Sequence, residues 1–235
     1  MQICRYLTNK LTSSRYHAVV NEQSYFQLFA ANFILNKCDR KDLYRFYPWS
    51  SDLTNWLDMG QATKPLSFPD IDTAAIRAKA GSGFKLDCLN GDFLALGRSH
   101  QIEVMILLRF FRSCQIQAQL SSEQGTFDAV LTSHFLDSVE NALAAVEKIS
   151  SVLKPGGFWM NFGSLSYAYE RFRCEPSLDL SWDLLQQSIT QLGFEFLELD
   201  TGIEAVYAQS DEKMASAVEQ CVFFVCRKSS DAAIQ

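Results

Sequence analysis

FDAVLTSHFLDSVENALAAVEKISSVLKPGGFWMNFG, residues 127–163, is the stretch that decides the fold. Its first apolar run is followed by polar residues from Thr132 to Asp137, a pattern that indicates a buried strand with its polar groups at the exit. Apolar residues then recur at helical spacing from Val139 to Leu153, and Lys154 follows where a cation suits the helix dipole. Pro155-Gly156-Gly157 ends that helix, and FWMNFG begins the next strand. The stretch predicts a βαβ unit of a parallel sheet.

Strands and helices are also predicted on both sides of this unit. YHAVVNE, residues 16–22, indicates a short strand that ends in the carboxylate of Glu22. QSYFQLFAANFILN, residues 23–36, predicts a crossover helix with Phe26, Phe29 and Phe33 on one face. The remaining segments are a strand with a turn in FKLDCLNGDFLAL (84–96), a helix in SWDLLQQSITQLGF (181–194), and two closing strands in FEFLELD (194–200) and CVFFVCRK (221–228).

This alternation predicts an α/β fold with one domain over residues 1–235. Within it, the irregular segment at about 37–82 is interpreted as a substrate or lid segment, with packed aromatic residues, and about 97–124 as an insertion. The apolar run IEVMILLRFF, residues 102–111, fits a helix or a strand, because periodicity does not separate the two. We favour a surface helix over a strand that fills a gap in the sheet.

Composition excludes several function classes. A net charge of -6 and a pI near 5.1 argue against a nucleic-acid binder, which needs clustered Lys and Arg. No apolar run reaches the length of a membrane span, so no membrane partner is expected. The seven cysteines are scattered and odd in number, which indicates reduced thiols and no metal site. A cytoplasmic location is expected, with the nucleus left open and a mitochondrial leader ranked lower.

Polar residues follow several of the predicted strands, at the edge where parallel sheets bind ligands. Glu22 can accept hydrogen bonds from both ribose hydroxyls. After the next predicted strand, Asp92 can accept from an exocyclic amine, and Phe93 can cover a purine face. Taken alone, Glu22 is an ordinary acid near a helix N-terminus, and Asp92 an ordinary turn residue. Taken together, they predict an adenosine pocket.

Several motifs in order resemble one family. The stretch 127–163 resembles the second half of class I S-adenosylmethionine-dependent methyltransferases, which implies a Rossmann-like sheet with helices on both faces. More narrowly, the carnosine N-methyltransferase family is indicated from about Asn21 to Lys228 by NEQSYFQLFAANFILN, YRFYPW, FPDID, GDF, LKPGGFWMNFG and DLSWDLLQQSITQLGF. The resemblance implies methyl transfer from S-adenosylmethionine to an imidazole nitrogen of carnosine or a related histidine-containing peptide, and a homodimer.

The resemblance also implies roles for individual residues. Glu22 would hold the ribose of the cofactor, and Asp92 and Phe93 its adenine. Ser133 stands at a cofactor-contact position where the family has Cys, and Asp137 would contact the methyl acceptor. Because the cofactor sulfonium is already a strong electrophile, the protein needs chiefly to align the acceptor nitrogen and keep its lone pair free.

Two departures from the family pattern bear on activity. Class I enzymes begin with a strand and a glycine-rich loop, and no such motif precedes Glu22, so an N-terminally truncated chain is expected that lacks a central strand. The family's catalytic His aligns with Ala168, and two family tyrosines align with Ala217 and Glu219. His134 is a candidate substitute base, although a packed His without a proton-transfer role is favoured.

Three functions therefore stay open. The first is methyl transfer to an imidazole nitrogen. The second is the same reaction class with another small-molecule acceptor, suggested by the changed residues at the three aligned positions. The third is an inactive homologue that acts as a binding or regulatory protein, suggested by the missing glycine loop.

Overall fold

The structure is a computed structural model that describes residues 17–22, 25–52, 54–80, 85–90, 104–108, 125, 127–167, 177–206, 210, 213–214 and 217–230. Two compact units are distinguished. The first is built on Leu28–Lys85 and Ala205–Val218, and the second on His17–Gln27, Leu86–Glu204 and Glu219–Gln235. The single domain with a lid segment and an insertion stays a prediction.

The described residues form the following elements in chain order. The strands are β1 (His17–Glu22), β2 (Tyr44–Phe46), β3 (Leu66–Phe68), β4 (Lys85–Asn90), β5 (Val104–Leu108), β6 (Phe127–Ser133), β7 (Leu153–Ser164), β8 (Phe194–Val206) and β9 (Val218–Lys228). The helices are α1 (Tyr25–Lys37), α2 (Met59–Ala62), α3 (Thr73–Ala80), α4 (Ala142–Val152) and α5 (Trp182–Gln191), with a 3-10 turn at Leu136–Ser138. No described helix is long and apolar enough to cross a membrane.

Seven strands form one sheet in the order β4-β1-β5-β6-β7-β9-β8. β1, β5, β6 and β7 are parallel, and β9 runs antiparallel to β7. The predicted α/β class is confirmed, as is the placement of the two closing strands at one edge.

The centre of the sheet differs from the prediction. Val104–Leu108 forms β5, which is hydrogen-bonded in parallel between β1 and β6, with Ile106 beside Val20 on one side and Leu131 on the other. The predicted surface helix is therefore wrong, and the central place in the sheet is filled. Its uninterrupted apolar sequence is typical of a strand enclosed by neighbours. The facing edges of β1 and β6 need backbone partners, and β5 supplies them.

The βαβ unit at 127–163 is confirmed as β6, α4 and β7, with two corrections at the end of α4. The helix already ends at Val152, and Pro155-Gly156-Gly157 lies within β7. Lys154 lies in β7, where its ammonium pairs with Asp128 at 2.8 Å. The cation at the end of α4 is instead Lys228, whose Nζ donates to the carbonyls of Ser150 at 2.6 Å and Leu153 at 3.0 Å. Burial lowers the pKa of Lys228. A residue distant in sequence thus satisfies the last carbonyls of this helix.

The main core cluster joins β6, β7, β8 and β9 to α4 and α5. Trp159 is fully buried, and its ring lies 4.8 Å from that of Phe224 and 5.6 Å from that of Phe194. Helix α5 begins after Ser181, as predicted, and Gly193 follows its end with φ 82°. Gly suits this position because residues with side chains rarely adopt a positive φ.

In the first unit, β2 and β3 pair antiparallel and carry ring contacts, with the Tyr44 and Phe68 centroids 5.5 Å apart. The prediction that aromatic residues of 37–82 pack together is confirmed for these rings. Thr73 Oγ1 donates to Cys38 O at 3.0 Å and joins the start of α3 to the end of α1.

Helix α1 is confirmed at Tyr25–Lys37. Phe26 and Phe29 are 89% and 77% exposed. The i, i+3 spacing determines which residues share a face, and the tertiary structure determines whether that face is covered.

Candidate functional site

The ends of β6 and β7 bring the predicted polar residues to one place in the second unit. Thr132 is beside Asn161 in the register, and Ser133 is beside Phe162. Because the two strands are parallel, the segments that follow them leave the sheet at the same edge. This edge carries His134 and Asp137.

A buried polar network lies behind this edge. Trp159 Nε1 donates to Thr132 Oγ1 at 3.0 Å, and Thr132 Oγ1 donates to Asn161 Oδ1 at 2.7 Å. Asn161 Nδ2 in turn donates to the carbonyl of Val222 on β9 at 3.4 Å. The network joins three strands through side chains and fixes the positions of the strand ends.

His134 occupies a constrained turn directly after β6. Its φ is 46°, its backbone N–H donates to Phe162 O at 2.8 Å, and its ring packs edge-on against Phe162. A Cβ on Gly163 would lie 2.9 Å from the nitrogen of His134, so only glycine permits this approach. Burial lowers the pKa of His134, and the charge of Glu219 opposes that shift. Packing therefore determines the position of this side chain.

Ser164 joins two carboxylates at the end of β7. Its Oγ lies 2.8 Å from Oε2 of Glu219 and 3.3 Å from Oδ2 of Asp137, and the residue is buried. A hydroxyl has one proton, so at any moment it donates to one carboxylate, and the shorter distance favours Glu219. Burial raises the pKa of the Cys221 thiol, and the charges of Glu219 and Asp137 add to this effect. The site is locally acidic.

Ser164 is not among the site residues predicted from the sequence. Its position could have indicated it, because a hydroxyl at the end of a parallel strand lies where such sheets bind ligands. Glu219 was noticed only as a replaced tyrosine. Their contact joins residues 55 positions apart, which sequence spacing does not indicate.

Tyr167 is the last described residue of the segment that follows β7. It is 7% exposed, and its hydroxyl donates to Leu180 O at 2.8 Å. Burial raises the pKa of Tyr167, and the charges of Asp179 and Asp137 act in the same direction. These contacts are those of a packed side chain. Ala168 and Tyr169 lie outside the described residues.

The predicted cofactor residues are placed only through their strands. β4 is the neighbour of β1 and ends at Asn90, two residues before Asp92. The side chain of Glu22 and all of Asp92 and Phe93 lie outside the described part of the chain, so their roles stay predictions.

Glu22 and Ser133 flank the end of β5. Ser133 pairs with Leu108, the last residue of β5, and Glu22 follows Asn21, which pairs with Leu107. Two strand spacings of about 4.8 Å put the two backbones roughly 10 Å apart. Ser133 is half-buried. The strand ends are thus suitably spaced for one nucleoside-sized ligand.

Comparisons with known proteins give a consistent result. The family model for carnosine N-methyltransferase matches residues 4–230. Carnosine N-methyltransferase from Rattus norvegicus is 31% identical over 208 residues, which cover 88% of this chain and 45% of that protein. Carnosine N-methyltransferase unmet from Drosophila melanogaster is 29% identical over 94% of this chain and 42% of that protein. The chain therefore spans less than half the length of these relatives.

Among solved structures, the N-methyltransferase NodS from Bradyrhizobium japonicum WM9, in complex with S-adenosyl-L-homocysteine, is 14% identical. The match covers 97% of this chain and 85% of that chain, with a TM-score of 0.39.

Proposed function

Because the chain belongs to the carnosine N-methyltransferase family, we propose that it transfers a methyl group from S-adenosylmethionine to an imidazole nitrogen of carnosine or a related histidine-containing peptide. The observation that carries this proposal is the position of Asp137. The residue that the resemblance assigns to the acceptor lies beside Ser164 at the sheet edge where parallel sheets bind ligands.

Asp137 orients the acceptor in this proposal. A neutral imidazole has one N–H donor and one nitrogen with a free lone pair. A carboxylate that accepts from the N–H leaves the other nitrogen available and fixes the plane of the ring. Ser164 Oγ lies 3.3 Å from Oδ2 of that carboxylate and 2.8 Å from Oε2 of Glu219, so its hydroxyl donates to one of the two carboxylates at a time.

The cofactor side rests on Glu22, Asp92, Phe93 and Ser133. Bound S-adenosylmethionine supplies an electrophilic methyl group on its sulfonium, so no residue needs to activate the donor. The chain's own task is to hold the nucleoside at the ends of β1 and β6 and to exclude water. His134 is the candidate base, since its lowered pKa leaves its ring neutral at neutral pH.

The first test is calorimetry of the intact chain with S-adenosylhomocysteine, followed by methyl transfer to carnosine. We expect binding, and we expect Asp137→Asn to lower kcat/KM by roughly a hundredfold while cofactor affinity is kept. Asp128→Asn is the matched control, because Asp128 lies at the start of β6, at the end of the strand opposite the candidate site, and forms an exposed ion pair with Lys154. Equal activity of both variants would remove Asp137 from the reaction.

A second candidate is an inactive homologue that acts as a binding or regulatory protein. It is favoured by β5, which takes the central place where the resemblance predicts a strand followed by a glycine-rich loop. This candidate predicts no affinity for S-adenosylmethionine or S-adenosylhomocysteine, so the same calorimetry separates it from the enzyme.

The acceptor is tested separately. Glu219 stands where the family has tyrosine, so a different small-molecule acceptor is the alternative within the same reaction class. If the cofactor binds and carnosine is not methylated, methyl transfer to other imidazole compounds distinguishes the two acceptor proposals. The proposed homodimer is tested by sedimentation of the same preparation.

A further inference from the structure

The outer side of β8 is an open backbone edge among the described strands. β8 ends the seven-stranded sheet and has β9 as its neighbour on the inner side. It is 13 residues long, and Gly202, with φ 74°, interrupts it near its end. The regular part, residues 194–201, presents alternating N–H and C=O groups that another strand can pair with.

The side chains of β8 give this edge a distinct chemistry. Its sequence FEFLELDTGIEAV contains four carboxylates and no Lys or Arg. Glu195 is paired with Arg227 at 2.9 Å, whereas Glu198 and Asp200 are exposed. Leu197 and Leu199 are 49% and 40% exposed. With a side-chain period of two, both leucines lie on one face and Glu198 and Asp200 on the other.

The carboxylates of β8 indicate which kind of strand can pair with this edge. A second copy of β8 would bring carboxylates close to carboxylates, which destabilises strand pairing. An extended segment that alternates apolar residues with Lys or Arg matches both faces, because its apolar side chains cover Leu197 and Leu199 and its cations lie near Glu198 and Asp200. We propose that residues 194–201 of β8 bind an extended basic segment of a partner protein, which continues the sheet by one strand.

The test uses a defined probe, an end-capped heptapeptide of alternating lysine and valine labelled for fluorescence anisotropy. We expect it to bind at least about tenfold more tightly than a glutamate–valine peptide, and less tightly at high salt. A lysine–valine peptide methylated on alternate backbone nitrogens keeps the charge and loses the ladder donors, so we expect it not to bind. Hydrogen exchange should slow at residues 194–201 when the first peptide is added.

The variant for this test is Glu198→Lys with Asp200→Lys, and Glu147→Lys is the matched control because Glu147 is exposed on α4. We expect about a tenfold or larger loss of affinity in the double variant only. Glu198→Gln with Asp200→Asn removes the charges with little change in shape and is used if the reversal variant does not fold.

Three outcomes would overturn the proposal. One is equal binding of the backbone-methylated peptide, which would indicate charge attraction alone. Another is equal loss of affinity with Glu147→Lys. The third is a dimer in which residues 194–201 are protected without peptide, which would make a second copy the occupant. None of these readouts involves methyl transfer, so the proposal is independent of the proposed function.

Discussion

The two halves of the sheet obtain their strands in different ways. β6 and β7 are consecutive strands of the chain, as are β8 and β9, and a side-chain network and an aromatic core join the two pairs. In β4, β1 and β5, by contrast, the strand that pairs with β6 is β5, which follows both β1 and β4 in the chain. Apolar periodicity thus predicts that a segment forms a helix or a strand. Its place in the sheet is determined by the strand edges that still need a backbone partner.

The largest effect is expected in the aromatic core. Trp159→Ala removes a fully buried side chain that contacts Phe194 and Phe224. The free energy of unfolding should fall by about 3–5 kcal/mol, measured by urea denaturation. Phe158→Ala is the control, because the adjacent residue is 43% exposed and should cost less than about 1 kcal/mol. Similar losses in both variants would show that the core is not where the structure puts it.

In the other half, the backbone of β5 is the target. Ile106→Pro removes one N–H from a strand paired on both sides, and should lower the free energy of unfolding by about 2–3 kcal/mol. Ile106→Val keeps the N–H and the branched side chain, and is the matched control. An unchanged stability of the proline variant would mean that β5 contributes no ladder bonds.

A smaller loss is expected at the end of α4. Lys228→Met leaves the carbonyls of Ser150 and Leu153 without their donor, and should cost about 1–2 kcal/mol in chemical denaturation. Lys154→Met removes an exposed ion pair with Asp128, and should cost less than about 1 kcal/mol. A larger loss of stability in Lys154→Met than in Lys228→Met would contradict the role of Lys228 at the end of α4.

The smallest effect is a pH dependence at the site. Because burial lowers the pKa of His134 below its ordinary value of 6.5, the unfolded chain binds its proton more readily than the folded chain. Stability from this group is therefore complete above pH 6.5 and is lost as the pH falls through the interval between the two pKa values. His134→Asn, a residue that tolerates positive φ, should lack this component.

The measurement is urea denaturation of both proteins from pH 5 to 8. The stability of the original chain minus that of His134→Asn should decrease as the pH falls below 6.5. A stability difference that stays constant, or that increases as the pH falls, would contradict the lowered pKa of His134.

Much of the fold was predictable because its signals are local. The run before Thr132, the periodicity of α4 and the glycines after it identify the βαβ unit without tertiary information. The position of β5 was not predictable, since a short apolar run fits either element and its neighbours are distant in sequence. Spacing likewise places Phe26 and Phe29 on one face of α1 without indicating whether that face is covered.

The candidate site divides in the same way. Ser133 and Asp137 were named from the resemblance. Ser133 is the last residue of β6, and Asp137 lies in the 3-10 turn that follows it. Ser164 and Glu219 meet Asp137 only through the pairing of β7 with β9, which no sequence spacing encodes.

The position of β5 in the sheet is tested most directly by backbone NMR of the isotopically labelled chain, directed at Val104–Leu108. We expect extended-strand chemical shifts for these residues and cross-strand contacts to both 18–21 and 129–133, the partners in the register. Helical shifts at these positions, or contacts to neither strand, would contradict the central place of β5 in the sheet.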